Sequence, residues 1–141
     1  MQYLNQWYWG HGRAGDLSVV WFYRIDVDGS IATSAYIAEG GEILWTGCGD
    51  GVVVRPYGSG VQYPLPVNNS ATIEGFTINI DTPSLGSFAF TAQQNRSVVS
   101  PAPYDRWIGE FTGGPVGGMN ASGFGLWEKM GPFSPDVAPP S

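Results

Sequence analysis

Few groups in this chain could move a proton. His11 is the one histidine and Lys129 the one lysine, and Asp16, Asp105, Glu110 and Glu128 are the carboxylates worth weighing beside them. His11 sits between Gly10 and Gly12, which reads as a strand end or loop. A histidine there commonly makes structural hydrogen bonds; as a functional group it gives or takes a proton near neutral pH. Asp105-Arg106 and Glu128-Lys129 are sequence neighbours. On a strand such neighbours point to opposite faces and do not pair with each other. An inward Lys129 would polarise a carbonyl, and an outward one would be a solvated edge charge. His11 and Lys129 are thus the candidate catalytic residues. No Ser-His-Asp or Cys-His spacing occurs. Cys48, between Gly47 and Gly49, reads as a small packed residue.

Aromatic residues make up 14% of the chain and six of them are tryptophan. Trp7, Tyr8 and Trp9 cluster at the start, while Trp21, Trp45, Trp107 and Trp127 fall one per expected strand. Any one of these is accounted for by core packing. As a set, such plates could line the cavity of a barrel, where alternate positions point inward.

The elements that must position these groups are strands. Leu17–Ile25, Ile31–Ala38, Glu42–Gly47 and Val52–Arg55 are β-branched and aromatic runs. Asp28-Gly29, Gly40-Gly41 and Asp50-Gly51 separate them as hairpin turns. Pro56–Ser70 is a long loop, and loops of this length are often functional. Strands resume at Thr72–Asp81, where Phe76, Ile78 and Ile80 alternate with polar residues, and at Leu85–Thr91 with a continuation to Val99. Residues 100–103 break the chain, and Tyr104–Phe111 and Gly123–Met130 close the set. Between those two, Thr112–Ser122 is too glycine-rich for a strand interior. It reads as a bulged connection where the backbone turns tightly or approaches a ligand; it lacks the Lys-Ser/Thr of a phosphate-binding loop. The expected fold is all-β, an antiparallel lipocalin-like (calycin-type) β-barrel of eight to nine strands without substantial helix. Closure would remove the strand edges. A β-sandwich is the competing architecture.

Composition bounds the chemistry further. The 141 residues hold 21 Gly, 11 Pro and only 13% charged residues, against about 25% in an average domain. A net charge of -6 argues against a nucleic-acid partner. A single Cys and a single His leave no disulfide framework and no zinc cluster. No apolar run is long enough for a membrane helix. The opening MQYLNQWYWG lacks a basic, then apolar, leader, so the expected location is cytoplasmic. The sequons at Asn68, Asn95 and Asn120 would matter only in a secreted chain. Residues 1–130 are expected to form the barrel domain, and residues 131–141 a Pro-rich extended tail.

An ordered series of short motifs carries a family resemblance. It runs from Trp7-Tyr8-Trp9-Gly10-His11-Gly12-Arg13-Ala14-Gly15 through Val19-Val20-Trp21, Thr33–Ala38 and Gly51–Pro56. It continues in Tyr104–Gly109, Gly113-Gly114, Gly117-Gly118 and Gly125–Glu128. Over roughly residues 5 to 130 the chain resembles the lipocalin-like C-terminal domain of hydroxyneurosporene-synthase-like (AttH/CrtC-type) proteins. Within that family it is most similar to fungal decalin-forming intramolecular Diels–Alderases.

The resemblance implies a second, N-terminal β-sandwich-like domain, on a separate or missing chain, with the pocket near the interface of the two. It implies an apolar polyene substrate and a cofactor-independent [4+2] cycloaddition, which aromatic walls and one or two donors can serve. Trp7, Trp9 and Trp107 would then bind substrate, with Tyr36, Met119 and Asn120 as further candidates. Hydratase or isomerase chemistry of the same family is the alternative, and a non-catalytic carrier of an apolar small molecule is a third reading.

Overall fold

The computed structural model of the protein describes residues 4–99 and 103–133. Of the chain break expected at 100–103, residues 100–102 lie outside the described residues, as do residues 134–141 of the tail expected at 131–141. Nine strands form one antiparallel sheet: β1 (Leu4–Ala14), β2 (Leu17–Asp26), β3 (Ile31–Glu39), β4 (Glu42–Cys48), β5 (Val52–Tyr57), β6 (Gly75–Thr82), β7 (Gly86–Val99), β8 (Tyr104–Pro115) and β9 (Ala121–Met130). No helix occurs among the described residues. The all-β, lipocalin-like architecture is therefore as expected.

The spatial order is β4-β3-β2-β1-β9-β8-β7-β6-β5, so every neighbour is a sequence neighbour except β1 and β9. The sheet curls without closing. Its two edges are β4 and β5, which follow one another in sequence, and β5 swings back to lie near β2 and β3. The expectation that closure removes the edges is corrected here. The β4–β5 turn is tied to β3 instead: the Thr33 hydroxyl donates to Gly49 O at 2.7 Å and accepts from Gly49 N at 2.8 Å. Cys48 ends β4 and is exposed rather than packed, because β4 flares from the core as an edge.

The DG and GG turns fall where the sequence places them. Gly29, Gly40 and Gly41 take positive φ, and the Asp28 carboxylate accepts from Ser30 N at 2.8 Å. Residues 72–74 are not strand; β6 starts at Gly75. β8 runs on through Gly113 and Gly114 to Pro115, so the glycine-rich stretch is partly strand interior.

β1 has no counterpart among the strands read from sequence, although it lies at the centre of the sheet. Its inward positions after Tyr8 are Gly10, Gly12 and Ala14. Glycine weakens a strand unless close packing demands it. Here it does. A Cβ on Gly10 would stand 2.6 Å from both Trp127 Cβ and Trp21 Cζ2, and one on Gly12 would run into the Phe111 ring. The interior is filled by this aromatic layer: Trp21 stacks on Phe111 at 5.6 Å and Phe111 on Phe90 at 5.1 Å. Ile78, Ile80, Val54 and Ile37 complete the core, fully buried, and each such side chain contributes about 1.5–3 kcal/mol.

The opposite end of the interior is polar and lies under the 58–74 loop. Tyr8 donates to Gln6 Oε1, and the Gln6 amide bonds Leu65 O and N, both at 3.3 Å. Tyr23 and Tyr63 share a hydrogen bond of 2.5 Å, and Arg55 donates to Tyr23 at 2.9 Å while lying 3.7 Å over the Tyr63 ring. These contacts fasten the long loop and the β5 edge to β1 and β2. Residues 131–133 are also held: Phe133 is buried, and its N–H donates to Asn5 O at 3.0 Å.

Candidate functional site

The candidate site lies on the outer face of the sheet. Strand alternation sends Trp7, Trp9, His11 and Arg13 of β1 outward, opposite the glycines. Register then builds a transverse row. Tyr36 faces Val20, Val20 faces His11, His11 faces Leu126, Leu126 faces Ile108 and Ile108 faces Arg96. One imidazole thus stands inside a row that crosses six strands, with Val20 on one side of it and Leu126 and Ile108 on the other, ending at Arg96.

Phe124 rises beside this row, 77% exposed. It separates two adjoining clefts, and both are lined by Phe124 and His11. One, of about 580 Å³, runs over Leu126 and Ile108 to Asn95 and Arg96. The other, of about 530 Å³, is walled by Trp9, Val20 and Tyr36. The Trp9 ring lies 6.3 Å from His11, nearly parallel, and Trp7 meets Phe22 edge-to-face at 5.3 Å. The Trp7 indole N–H is buried without a hydrogen-bond partner among the described residues.

Beside Trp9 the next row holds charge. Glu128 is buried on the outer face and pairs with Arg106 at 2.6 Å; Arg106 also donates to Tyr104 at 2.7 Å. Burial raises the Tyr104 phenol above its usual range, with Glu128 adding to the effect, and the Glu128 hydrogen bond raises the Arg106 guanidinium. Glu128 is thus held as the partner of a cation. Among the described residues no group of three or more His, Cys, Asp or Glu side chains gathers to hold a metal ion.

The residues nominated from sequence divide between the two faces. Trp9, His11 and Tyr36 come together in the clefts, with Trp7 one row away. His11 lies mid-strand in β1, not at a strand end. Lys129 faces inward, where its ammonium pairs with Asp105 at 3.0 Å and donates to Gly131 O at 2.7 Å. Its charge is engaged inside the sheet, away from His11. Trp107 also points inward, against Phe76 at 6.0 Å, and lines a rim cleft with Asn95 and Arg96. Met119 is 91% exposed in the β8–β9 hairpin with Asn120, and neither lines the two outer clefts. The tryptophans expected to line an internal cavity are split: Trp7 and Trp9 face out, Trp21, Trp107 and Trp127 face in, and Trp45 of β4 is partly buried against the core.

Phe124, Leu126, Ile108, Asn95 and Arg96 were not nominated. A signal for the first two exists in the sequence: Gly123-Phe124-Gly125-Leu126 alternates glycine with large apolar residues, as Trp9-Gly10-His11-Gly12 does. In both strands the glycines face the packed interior and the large groups face out, which inverts the usual pattern.

No family model matches the chain. It is 39% identical over 131 residues to the quinolone epoxide rearrangement protein penF of Penicillium thymicola, across 90% of this chain and 35% of that protein. It is 33% identical over 128 residues to the quinolone epoxide rearrangement protein asqO of Emericella nidulans, with the same coverage on each side. The chain therefore spans about a third of the length of the curated relatives it matches. Among solved structures, kievitone hydratase from Nectria haematococca superposes with a TM-score of 0.54 at 12% identity, over 90% of this chain and 39% of that one. At that identity the likeness is one of fold.

Proposed function

We propose that this chain is part of an isomerase-type enzyme that rearranges an apolar intermediate of the kind made in fungal secondary metabolism, and that the outer clefts around His11 hold the substrate. The single observation that carries the reading is the position of the one histidine, exposed mid-sheet beside Trp9 and Phe124 and shared by both clefts. The names of the two relatives point to epoxide rearrangement, and the solved structure of like fold is a hydratase.

The residues suit an epoxide rearrangement. The His11 imidazolium gives its proton to the epoxide oxygen as one C–O bond breaks. A neighbouring substituent migrates, with its bonding pair, to the carbon left electron-deficient. The hydroxyl then loses its proton as the carbonyl forms, and the imidazole takes one back. Substrate and product are isomers, so no oxidant or reductant enters. Positive charge develops on the substrate, and the faces of Trp9, Tyr36 and Phe124 favour it, since a cation over an aromatic face gains about 0.5–2 kcal/mol. A second domain, on this chain or on a partner chain, would cover this face and exclude water.

The test is turnover of an aryl quinolone epoxide by the complete polypeptide. His11→Ala is expected to lower kcat by about 10²–10⁴-fold, the usual worth of a general acid or base. Undiminished turnover in His11→Ala would remove the proton-transfer role. The aromatic lining also suits a second reading, intramolecular [4+2] cycloaddition of a polyene, where folding the substrate supplies the rate. In that case Trp9→Ala and Phe124→Ala lose product and stereocontrol while His11→Ala does not.

A further inference from the structure

The β7–β8 ladder is regular from Phe88↔Pro115 to Gln94↔Gly109 and then slips by one residue. Arg96, not Asn95, faces Ile108, and Asn95 is the extra residue of a β-bulge. The slip has a definite effect. In an unbroken ladder Asn95 would face Ile108 on the outer face, and Arg96 would turn inward beside Trp107. The bulge keeps both Asn95 and Arg96 at the far end of the larger cleft, two polar side chains where a regular strand delivers one.

The bulge is fixed from within. Gln94 precedes it and points inward, donating to Ile73 O at 2.6 Å and accepting from Trp127 Nε1 at 3.3 Å. Opposite stands Gly109, where any Cβ would strike the Gln93 carbonyl oxygen and lie 2.9 Å from the Trp127 ring. Arg96 forms no ion pair among the described residues. His11 and Arg96 lie at the two ends of this cleft, three strand spacings apart, or about 14 Å at ~4.8 Å per strand. Leu126 and Ile108 floor the space between. The cleft is thus elongated and apolar, with a proton-transfer group at one end and a polar pair at the other.

The polar pair has a chemical signature. Arginine offers donors only, whereas the asparagine amide offers a donor and an acceptor. Side by side they match a group that is itself acceptor and donor. A ketone would use the donors alone and leave the Asn95 carbonyl unused, whereas a lactam uses the donors and that carbonyl together. We propose that Asn95 and Arg96 are the specificity-determining pair of this cleft and read the amide edge of a flat, apolar lactam, with its C=O on Arg96 and its N–H on Asn95. This rests on the reading of the outer cleft as the substrate site.

The experiment titrates the chain with quinolin-2(1H)-one and with its N-methyl derivative, followed by tryptophan fluorescence and amide chemical shifts. The lactam is expected to bind about tenfold more tightly than the N-methyl compound. Asn95→Leu should bring the two within twofold without changing N-methyl binding. Arg96→Met should weaken both by about tenfold, and Phe124→Ala should weaken both equally. If Asn95→Leu and Arg96→Met bind as the unaltered protein does while Phe124→Ala weakens both probes, the inference is overturned and the cleft reading stands. If Phe124→Ala also changes nothing, or neither probe binds, the cleft reading falls and the inference with it.

Discussion

The two faces of β1 differ in what they do with the same alternation. Inward lie Gln6, Tyr8, Gly10, Gly12 and Ala14, all buried, with the two polar side chains hydrogen-bonded and the two glycines pressed against aromatic rings. Outward lie Trp7 and Trp9, partly buried, and His11 and Arg13, exposed. β9 repeats the contrast, with Gly123, Gly125, Trp127 and Lys129 within and Phe124 and Leu126 without. The inner face is committed to holding the sheet together. The outer face leaves Phe124 and Ile108 exposed beside His11, and an exposed apolar patch of this kind often marks recognition. Stability thus rests on the inner side of these strands and, on the proposed reading, substrate binding on the outer side, and substitutions should separate them.

The largest expected effect is on the inner face. Lys129→Met strands the buried Asp105 carboxylate and should cost about 3–5 kcal/mol, read by urea denaturation. Adding Asp105→Leu should restore most of the loss, since a packed apolar pair replaces an ion pair with little penalty. A single variant losing less than about 1 kcal/mol would show that this pair does not hold the interior.

Next is Tyr8→Phe, which takes the donor from Gln6 and should cost about 1–3 kcal/mol. It also bears on pH. Burial holds the Tyr8 phenol well above its usual range, with the neighbouring Tyr63 adding to the effect, and Tyr63 is raised by its own burial. Unfolded tyrosine ionises near pH 10, so above that pH the unfolded chain releases protons that the folded chain keeps. Stability is then full below about pH 10 and falls as pH rises beyond it. Tyr8→Phe should make that alkaline decline shallower, and an unchanged slope would remove Tyr8 from the account. The smallest effect sharpens the contrast from the other side. Phe124→Ala should change stability by less than about 0.5 kcal/mol while weakening ligand binding; a larger loss would make Phe124 a structural residue.

Local chemistry was legible in the sequence, and cross-strand chemistry was not. Asp28-Gly29 and Gly40-Gly41 announce their turns because the turn residues themselves supply the backbone geometry. Gly10 and Gly12 mislead for the complementary reason: the rings that require them belong to Trp21, Phe111 and Trp127, on other strands. Alternation showed that Asp105 could not pair with Arg106, nor Glu128 with Lys129, but register alone decides that Asp105 meets Lys129 inside while Arg106 meets Glu128 outside. The Asn95 bulge is likewise a relation between two strands and leaves no mark in either.

Every pairing in the sheet joins strands adjacent in sequence except one. β1 docks on β9, bringing Trp7 opposite Met130 across nearly the whole chain. The hairpins can form early and locally, but the central seam must wait for the last strand. Such a topology has high contact order, and domains of this kind fold in milliseconds to seconds rather than microseconds. During synthesis β1 must stay unpaired on the β9 side until residue 130 has left the ribosome. For that interval its β9-side edge is a row of unpaired N–H and C=O groups, the kind of edge on which chains aggregate.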